Sequence, residues 1–274
     1  MQFTPKQLND NVNVSKSHPL TELLWLVGGL ILLVGLTFFI LGVTADWAVS
    51  KTPIKVETWI GELALNEFPA EENPALGQRL QSLLDSLPED SVLHNYQFRI
   101  FLSDTEDVNA IALPGGNIVV YAGLLNEVKS ENELAMVLAH ELGHFAHRDH
   151  LRGLGRGLGV AVAATLLFGE ESAASSLVSK ALLTFQTKYS QDQESAADQF
   201  GLDLLARRYG HAGGATDFFS RLTEDAGSKL PYLLASHPHP QLRIDALNKE
   251  IATKGYPIAA TQPLAEILNQ TENK

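Results

Sequence analysis

The sequence predicts an α+β fold that is predominantly helical, with a small β-sheet or hairpin and one transmembrane helix ahead of it. Three observations lead to this prediction: a long uncharged apolar run near the N-terminus, two short β-type runs around residues 114–117, and helical periodicity through most of the remaining chain. The 274 residues suffice for one substantial globular domain, and the hydrophobic fraction of 45% is ordinary for a packed core.

Net charge and cysteine content exclude several classes of function. The formal net charge is -12, without a basic cluster to neutralise phosphates, so we expect no nucleic-acid partner. The absence of cysteine excludes disulfide frameworks, thiolate metal sites and cysteine nucleophiles.

The first predicted element is a membrane span. From Leu23 to Val43 the chain carries no charged residue, and a helix of that length covers roughly 30 Å, the thickness of a bilayer's hydrocarbon core. Trp25 and Trp47 lie near its two ends, where interfacial aromatic residues concentrate. The alternative is a signal peptide cleaved after Ala45, but the apolar run exceeds the ~7–15 residues usual for one.

This span divides the chain into four predicted parts. Residues 1–22 form a polar tail, 23–43 the transmembrane helix, 44–71 a connector, and 72–274 the globular domain. Lysines flank both ends of the span, so positive charge does not decide its orientation. Because a lone span near the N-terminus commonly acts as a signal anchor, we expect a single-pass protein with an extracytoplasmic, periplasmic domain.

The next elements are a helix, a strand and a hairpin. Leucines recur at helical spacing from Leu76 to Leu87, which predicts an amphipathic helix that stops near Pro88. Alternation from Phe98 to Leu102 predicts a strand. Two β-type runs then flank the turn signal at residues 114–117, which predicts a hairpin.

The second half of the domain reads as helices. Ser130 followed by Glu133 is typical of a capping box, and it opens a predicted helix that runs to about His150. The apolar residues 157–168 are too few to cross a bilayer and predict a buried core helix. Ser190 is expected to cap a helix that extends through Arg208, and short helices around residues 216–222 and 240–251 close the domain.

The motif HELGH at residues 140–144 predicts a zinc site. His140 and His144 lie about 40° apart around a helix, so both imidazoles project from one face and can share one Zn²⁺. Glu141 lies beside them and is the candidate general base.

A catalytic zinc usually needs a third protein ligand, and two residues compete for that place. His150 has the spacing of a metzincin ligand, but a continuing helix would point it well away from His144, and the chain has no methionine downstream for a methionine turn. Glu194 is the second candidate, on a separate predicted helix, and we expect it to complete a two-histidine, one-glutamate site.

Three further residues are expected near this site. Asp198 follows Glu194 by one helical turn and is placed to hydrogen-bond the outer nitrogen of a ligand histidine, although such carboxylate pairs are more often a solvated helix face. His237 and Arg243, in SHPHPQLRI, are candidates for stabilising the oxyanion formed when water attacks a peptide carbonyl.

Four segments together resemble a known family. NAIALPGGNIVVYAGLL, LAHELGHFAHRDH, SQDQESAADQFG and SHPHPQLRI, within residues 109–244, are similar in this order to the HtpX and CAAX-prenyl-protease (Ste-type) family of membrane-associated zinc metallopeptidases. The single anchor is closest to the BepA-like and Oma-like members. One departure is Gln191, where many members carry arginine, and the multiple spans that accompany cleavage of prenylated substrates are absent.

The resemblance implies a gluzincin-like domain with one Zn²⁺ per chain. It implies His140, His144 and Glu194 as ligands, Glu141 as the catalytic residue, and His237 and Arg243 close to the active site. It also implies that residues 109–113 or 118–121 form a strand that pairs with the extended backbone of a protein substrate.

The expected function is therefore hydrolysis of internal peptide bonds of protein or peptide substrates in membrane or envelope protein quality control. One alternative is a chaperone-like or scaffold zinc protein that holds unfolded envelope proteins without cutting them, although such a protein needs no general base like Glu141. A zinc hydrolase that acts on a non-peptide amide is a third interpretation. The sequence leaves the oligomeric state undetermined.

Overall fold

The computed structural model describes residues 18–155, 189–224, 237 and 240–265 of the chain. Within these residues it confirms the predicted class: helices dominate, and one small sheet accompanies them. The chain divides into two compact units, residues 1–44 and 45–274. The predicted division into tail, span, connector and domain stays a prediction.

Helix α1 (Pro19–Lys51) contains the predicted span. It is long and apolar enough to cross a membrane once, and no residue in its most apolar stretch is buried. It is longer than predicted, since it begins inside the expected tail and runs through Trp47 into the expected connector. The first part of that tail, residues 1–17, lies outside the described residues.

The expected connector also holds a second helix, α2 (Ile54–Leu65). Its buried face, formed by Glu57, Gly61 and Ala64, packs against the turn between two strands of the sheet. The approach is close, because a Cβ added at Gly61 would lie 1.9 Å from the carbonyl oxygen of Pro114. Helix α2 is therefore part of the packed structure.

The sheet has four strands: β1 (Ala70–Glu72), β2 (Arg99–Ser103), β3 (Ala110–Leu113) and β4 (Asn117–Tyr121). Their order is β1-β2-β4-β3, with β2 parallel to β4 and the other two pairs antiparallel. Strands β3 and β4 confirm the predicted hairpin, with Gly115 at φ 79° in its turn. Strand β1 lacks a pattern that predicts it, since three residues are too few to show alternation.

Helix α3 (Pro74–Leu84) confirms the predicted leucine-rich helix but ends before Leu87, and a short 3₁₀ helix (Val92–Asn95) leads from it to β2. Helix α4 (Ala122–Glu127) joins β4 to α5 (Glu131–His147), whose first turn is capped by the Ser130 hydroxyl. The expected capping box is half formed, because the Glu133 carboxylate accepts from the backbone N–H of Lys129 instead of that of Ser130.

Helix α5 ends at His147 and does not reach His150 as predicted. Arg148 has φ 55°, the left-handed conformation that commonly ends a helix, and residues 149–155 are helical again in a new direction. The predicted apolar helix at residues 157–168 lies outside the described residues.

Three helices complete the described chain: α6 (Gln191–Tyr209), α7 (Asp217–Glu224) and α8 (Pro240–Lys254). The capping box at Ser190 is complete, as predicted. Helix α5 is the centre of the main core, since its residues from Asn132 to Phe145 are all buried. It packs along α6 and against β3, which fixes the face that carries the HELGH motif.

Candidate metal centre

Helix α5 presents His140 and His144 side by side in the interior. Their relative exposures are 3% and 0%, and their Nε2 atoms lie 3.1 Å apart. Four residues of α-helix place two side chains one above the other on one face, which explains this proximity. Both Nε2 atoms therefore face one shared point.

Helix α6 approaches α5 closely enough to bring Glu194 to that point. A Cβ added at Gly143 would lie 2.8 Å from the Cα of Ala197, so the helices touch where α5 has no side chain. The buried Glu194 carboxylate then lies 3.6 Å from His144 Nε2 and 3.8 Å from His140 Nε2. Gly143, the residue of HELGH that has no Cβ, thus permits the close approach of α5 and α6.

His237 enters the same group from the segment before α8. Its Nδ1 lies 2.9 Å from Glu194 Oε1 and 3.3 Å from His140 Nε2, and the residue is 4% exposed. The four residues each offer a donor atom, and these atoms all lie within 4.8 Å of one another. The structure thus places His237 among the candidate metal ligands, whereas the sequence analysis expected it only near the site, as a group that stabilises the oxyanion.

The outer nitrogens of the two helical histidines each have a carboxylate partner. His140 Nδ1 lies 2.9 Å from Asp198 Oδ1, and His144 Nδ1 lies 3.0 Å from Asp149 Oδ2. An Nδ1–H that donates to a carboxylate leaves the Nε2 lone pair for a metal and fixes the orientation of the ring. Asp198 therefore makes the contact expected from its spacing, whereas Asp149 was not anticipated.

Arg243 in α8 is paired with carboxylates inside the site. Its guanidinium donates to both oxygens of Asp198, at 2.8 and 2.7 Å, and its Nη1 lies 3.1 Å from Glu194 Oε2. Burial favours a neutral Asp198 carboxyl, but the charge and hydrogen bonds of Arg243 prevail and lower its pKa to about 2. Asp198 is therefore ionised and able to accept from His140.

The two helical imidazoles differ in their preference for a proton. Burial, joined by the charge of Arg243, lowers the pKa of His140, so the neutral, metal-binding form is favoured. Burial also acts to lower the pKa of His144, but hydrogen bonds with Asp149 and Glu194 outweigh it and raise this pKa to about 9. Below that pH a metal ion must displace a proton from His144.

Glu141 lies beside the donor group with one oxygen free of hydrogen bonds. It is 2% exposed, its Oε1 lies 3.7 Å from His237 Nε2, and its Oε2 has no hydrogen-bond partner among the described residues. Burying such an oxygen without a partner is costly, so these groups are rarely left unpaired unless a ligand or reactant uses them.

The residues present fit a bound zinc ion. Imidazole and carboxylate are zinc ligands, and the donor group brings three imidazoles and one carboxylate together in the interior. Glu194 Oε2 also lacks a hydrogen bond among the described residues, although Arg243 lies beside it. Burial holds the pKa of Glu194 up, but His237 and His144 outweigh it and keep this pKa far below its usual range, so a ligand carboxylate is ionised.

His150 takes no part in this donor group. Its ring packs against Phe145, and its Nε2 lies 2.8 Å from Glu57 Oε1 on helix α2. The geometry agrees with excluding His150 as a ligand, but the reason differs from the one given above, since α5 has ended before this residue. Sequence analysis had no signal for its partner, because Glu57 lies far away in the chain.

A buried ion pair joins α2 to the end of α5. The Glu57 carboxylate is fully buried and accepts from Arg148 Nη2 at 2.7 Å and from Tyr96 Oη at 3.1 Å. Arg148 also donates to the backbone carbonyls of Val49 and Thr52, both at 2.8 Å. The turn that carries Asp149 towards His144 is thereby bonded to the last turn of α1 and to the link that follows it.

The site also contains an aromatic contact that sequence analysis did not single out. The ring of Tyr189 stacks on His144 with centroids 3.8 Å apart and an interplanar angle of 17°. Tyr189 directly precedes the capping serine of α6, so the start of that helix covers one face of a candidate ligand imidazole.

Comparison with known proteins supports the interpretation of these residues. The model of peptidase family M48 matches residues 74–251, which include the whole donor group. The chain is 28% identical to the beta-barrel assembly-enhancing protease of Yersinia pestis over 73% of its own length and 46% of that protein. It is 30% identical to the metalloprotease YcaL of Escherichia coli, over 67% of its length and 73% of that protein.

A protein of Arabidopsis thaliana is also similar to this chain. The mitochondrial metalloendopeptidase OMA1 of Arabidopsis thaliana is 32% identical over 56% of this chain and 31% of that protein. The chain thus spans less than half of the beta-barrel assembly-enhancing protease and about a third of OMA1, but nearly three quarters of YcaL.

Proposed function

Because this chain belongs to peptidase family M48, we propose that it is a zinc-dependent metalloendopeptidase that hydrolyses internal peptide bonds of proteins. The observation that carries the proposal is the buried donor group of His140, His144, Glu194 and His237, with Glu141 beside it. Similar proteins named as metalloproteases support the same chemistry.

In this proposal His140, His144 and Glu194 hold one zinc ion per chain. Asp198 and Asp149 accept from the outer nitrogens of the two helical imidazoles and keep the inner nitrogens aimed at the ion. When bound, zinc supplies a Lewis acid that makes a water molecule more acidic and polarises a peptide carbonyl. The chain's own groups provide the remaining steps.

Glu141 is the proposed general base and acid. Its unpaired Oε2 is available to take a proton from the attacking water and to return it to the leaving amine, which balances the protons of hydrolysis. His237, whose Nε2 faces Glu141 at 3.7 Å, is the nearer candidate for donating to the developing oxyanion.

Arg243 is better suited to positioning than to direct contact with the substrate. It is 5% exposed and paired with Asp198 and Glu194, so its donors are directed at carboxylates of the site. This geometry supports a role in fixing the ligand carboxylate and the partner of His140 during the reaction.

Strand β3 is the proposed docking strand for substrate backbone. Of the two segments considered in the sequence, residues 118–121 belong to β4, which has neighbours on both sides and cannot accept another strand. In the described sheet, β3 has a partner on one side only, and it packs against α5. An extended peptide added to β3 would pair through main-chain hydrogen bonds.

The proposed setting is the cell envelope, with α1 as a single-pass anchor and the peptidase domain on the extracytoplasmic side. The apolar composition of α1 supports an anchor, and relatives named for beta-barrel assembly support an envelope role. Unfolded or misassembled envelope proteins are the proposed substrates.

The test replaces Glu141 with Gln in the full chain and measures both casein degradation and zinc content. We expect zinc content to be unchanged and the rate to fall about 10²–10⁴-fold, because the general base is lost while the ligands remain. Wild-type protein treated with a chelator is the control for metal dependence. Undiminished proteolysis by the variant would refute the assignment, and client binding by an inactive wild type would favour the chaperone alternative.

A further inference from the structure

Helix α2 carries an exposed apolar face that the proposed chemistry does not use. Val56, Trp59 and Leu63 are 43%, 62% and 52% exposed, and at about 100° per residue they lie within about 60° of one another around the helix. Beyond α1, the described residues include only three other large apolar side chains with this degree of exposure, and they lie in three separate parts of the chain. Three of these six side chains are thus gathered on one twelve-residue helix.

The position of this face in the chain brings it close to the membrane. Helix α1 has 33 residues, about 50 Å of helix, whereas a bilayer with its headgroups measures about 40–45 Å, so a crossing α1 ends near the headgroups. Two residues separate Lys51 from Ile54, which limits the distance between these Cα atoms to at most about 11 Å. Helix α2 therefore begins within about 11 Å of the end of a crossing α1, which is close enough for it to reach the interface.

The start of α2 is held in place and is not on a loose tether. Arg148 donates to the carbonyls of Val49 in the last turn of α1 and of Thr52 in the link, and its third contact is the buried Glu57 of α2. These bonds hold residues 49–57 against the end of α5. The opposite face of α2 is buried at Glu57 and Gly61, so the exposed surface of the helix consists of the apolar face and, beside it, a polar strip of Lys55, Thr58 and Glu62.

We propose that α2 lies in the membrane interface, with Val56, Trp59 and Leu63 inserted among the lipid headgroups and upper acyl chains. An interfacial helix needs an apolar face with an aromatic residue, and Trp prefers this depth. Three side chains are too few for a stable protein interface, which buries about 800 Å² on each partner, so lipid is the better occupant.

The experiment uses the fact that the chain has three tryptophans. In the full chain carrying Glu141→Gln to prevent self-cleavage, Trp25→Phe and Trp47→Phe leave Trp59 as the only emitter. The protein is reconstituted in phosphatidylcholine vesicles with or without brominated acyl chains. We expect the emission of Trp59 to be blue-shifted and to lose intensity with bromines near the headgroup, more than with bromines deep in the chain.

Two matched variants control the measurement. A chain that keeps only Trp25 reports on the other end of the span and should also be quenched by bromines near the headgroup. A chain with Trp25→Phe, Trp47→Phe, Trp59→Phe and Val92→Trp places the emitter at another exposed apolar position, on a different element, and should be unquenched.

Each other outcome overturns the proposal. A red-shifted, unquenched Trp59 means that α2 lies in water, and a blue-shifted, unquenched Trp59 means that a second copy or another protein covers it. Equal quenching at position 92 indicates general adsorption, and an unquenched Trp25 removes the span on which the proposal rests. None of these readouts depends on peptidase activity, so failure here is distinct from failure of the proposed function.

Discussion

At the scale of single residues, the donor group is defined by partners on both sides of each imidazole. In both His140 and His144 the Nε2 atom faces the other donor atoms. The Nδ1 atom of His140 contacts Asp198, and that of His144 contacts Asp149. An imidazole held at both nitrogens has one usable tautomer and one orientation. In the proposed site, the two carboxylates therefore contribute to metal affinity without being ligands.

Replacing Asp198 with Asn should weaken zinc binding about 10–100-fold. The amide keeps the shape of the side chain but loses the charge that orients His140 and pairs with Arg243. Zinc affinity, measured by competition with a chromogenic chelator, checks this prediction. Affinity equal to that of the wild type would show that the contact has no influence on the metal.

Replacing Glu194 with Ala should remove most of the bound zinc after dialysis, because the only carboxylate in the donor group is lost. Asp192→Ala is the matched control, since Asp192 lies in the same first turn of α6 but is exposed. Metal content measured by atomic absorption distinguishes the two variants. Retention of a full zinc complement by Glu194→Ala would exclude this residue as the third ligand.

Spacing pointed to part of the site and the family resemblance to another part, namely His237 and Arg243, whereas Asp149 and Tyr189 were missed. HELGH and the pair formed by Glu194 and Asp198 follow helical periodicity, so their positions can be expected from the sequence. Asp149 was not predicted, because its position depends on the left-handed conformation of Arg148, the residue directly before it, which ends α5. An isolated arginine in a sequence does not indicate that conformation.

At the scale of elements, the contact between α5 and α6 depends on a glycine. The spacing of the helices at Gly143 leaves no room for a Cβ, because Ala197 backbone atoms lie 2.8 and 2.9 Å from its ideal position. A side chain here would separate the helix that holds both imidazoles from the helix that holds Glu194. Sequence analysis treated this position only as part of a motif.

Gly143→Ala should therefore destabilise the protein by about 1–3 kcal/mol, the usual cost of overpacking, and should also weaken zinc binding. Gly77→Ala is the matched control, since its added Cβ meets only Ile100 Cγ2 at 3.8 Å, an ordinary contact in helix α3. That control should be neutral or stabilising by up to about 1 kcal/mol. Thermal unfolding of both variants, with zinc titration, tests the difference.

The ion pair between α2 and the end of α5 predicts a pH dependence. Burial acts to raise the pKa of Glu57, but His150 and Arg148 lower it from 4.5 to about 2. A carboxyl group with a lowered pKa stabilises the fold above pH 4.5, and this stabilisation is lost as the pH falls towards 2. Glu57→Gln should thus lower the unfolding midpoint near neutral pH, and the gap from wild type should close by about pH 2.

The control for this comparison is Glu62→Gln in the same helix. Glu62 pairs with Arg99 at the surface, where both side chains are more than a third exposed. Such exposed pairs contribute little, about 0–1 kcal/mol, so the midpoint should barely change at any pH. A Glu57→Gln variant with a constant deficit at all pH values would contradict the assigned ionisation.

At the scale of the whole molecule, the donors come from three segments far apart in the chain. Helix α5 supplies two of them, α6 supplies Glu194, and the segment before α8 supplies His237. A ligand that binds only the folded chain stabilises it by mass action, by about 4 kcal/mol at a thousandfold excess over its dissociation constant. Folding and metal binding are therefore coupled.

Removal of zinc with a chelator should lower the unfolding temperature of the full chain, and returning zinc should restore it. Magnesium at the same concentration is the control, because its preference for oxygen ligands does not fit a group with three imidazoles. Scanning calorimetry of the reconstituted protein gives both midpoints. An identical midpoint with and without zinc would show that the donor group does not hold the ion in the folded chain.

The fold class could be predicted from the sequence because it depends on periodicity. The bounds of the packed structure could not be predicted. The expected connector contains α2, whose buried face is anchored by a charged residue, Glu57, and whose exposed face is apolar at Trp59. This inverts the usual pattern, so amphipathicity does not indicate which side faces the core. Only the distant partners of α2 settle that question.

The two carboxylates that contact the helical histidines differ in their separation from them along the chain. Asp149 is five residues from His144, whereas Asp198 is 58 residues from His140. Closing a short loop costs less entropy than closing a long one, so the contact of Asp149 with His144 is the less costly of the two to form. The contact of Asp198 with His140 requires α6 to lie on α5, so the orientations of the two imidazoles depend unequally on one contact between helices.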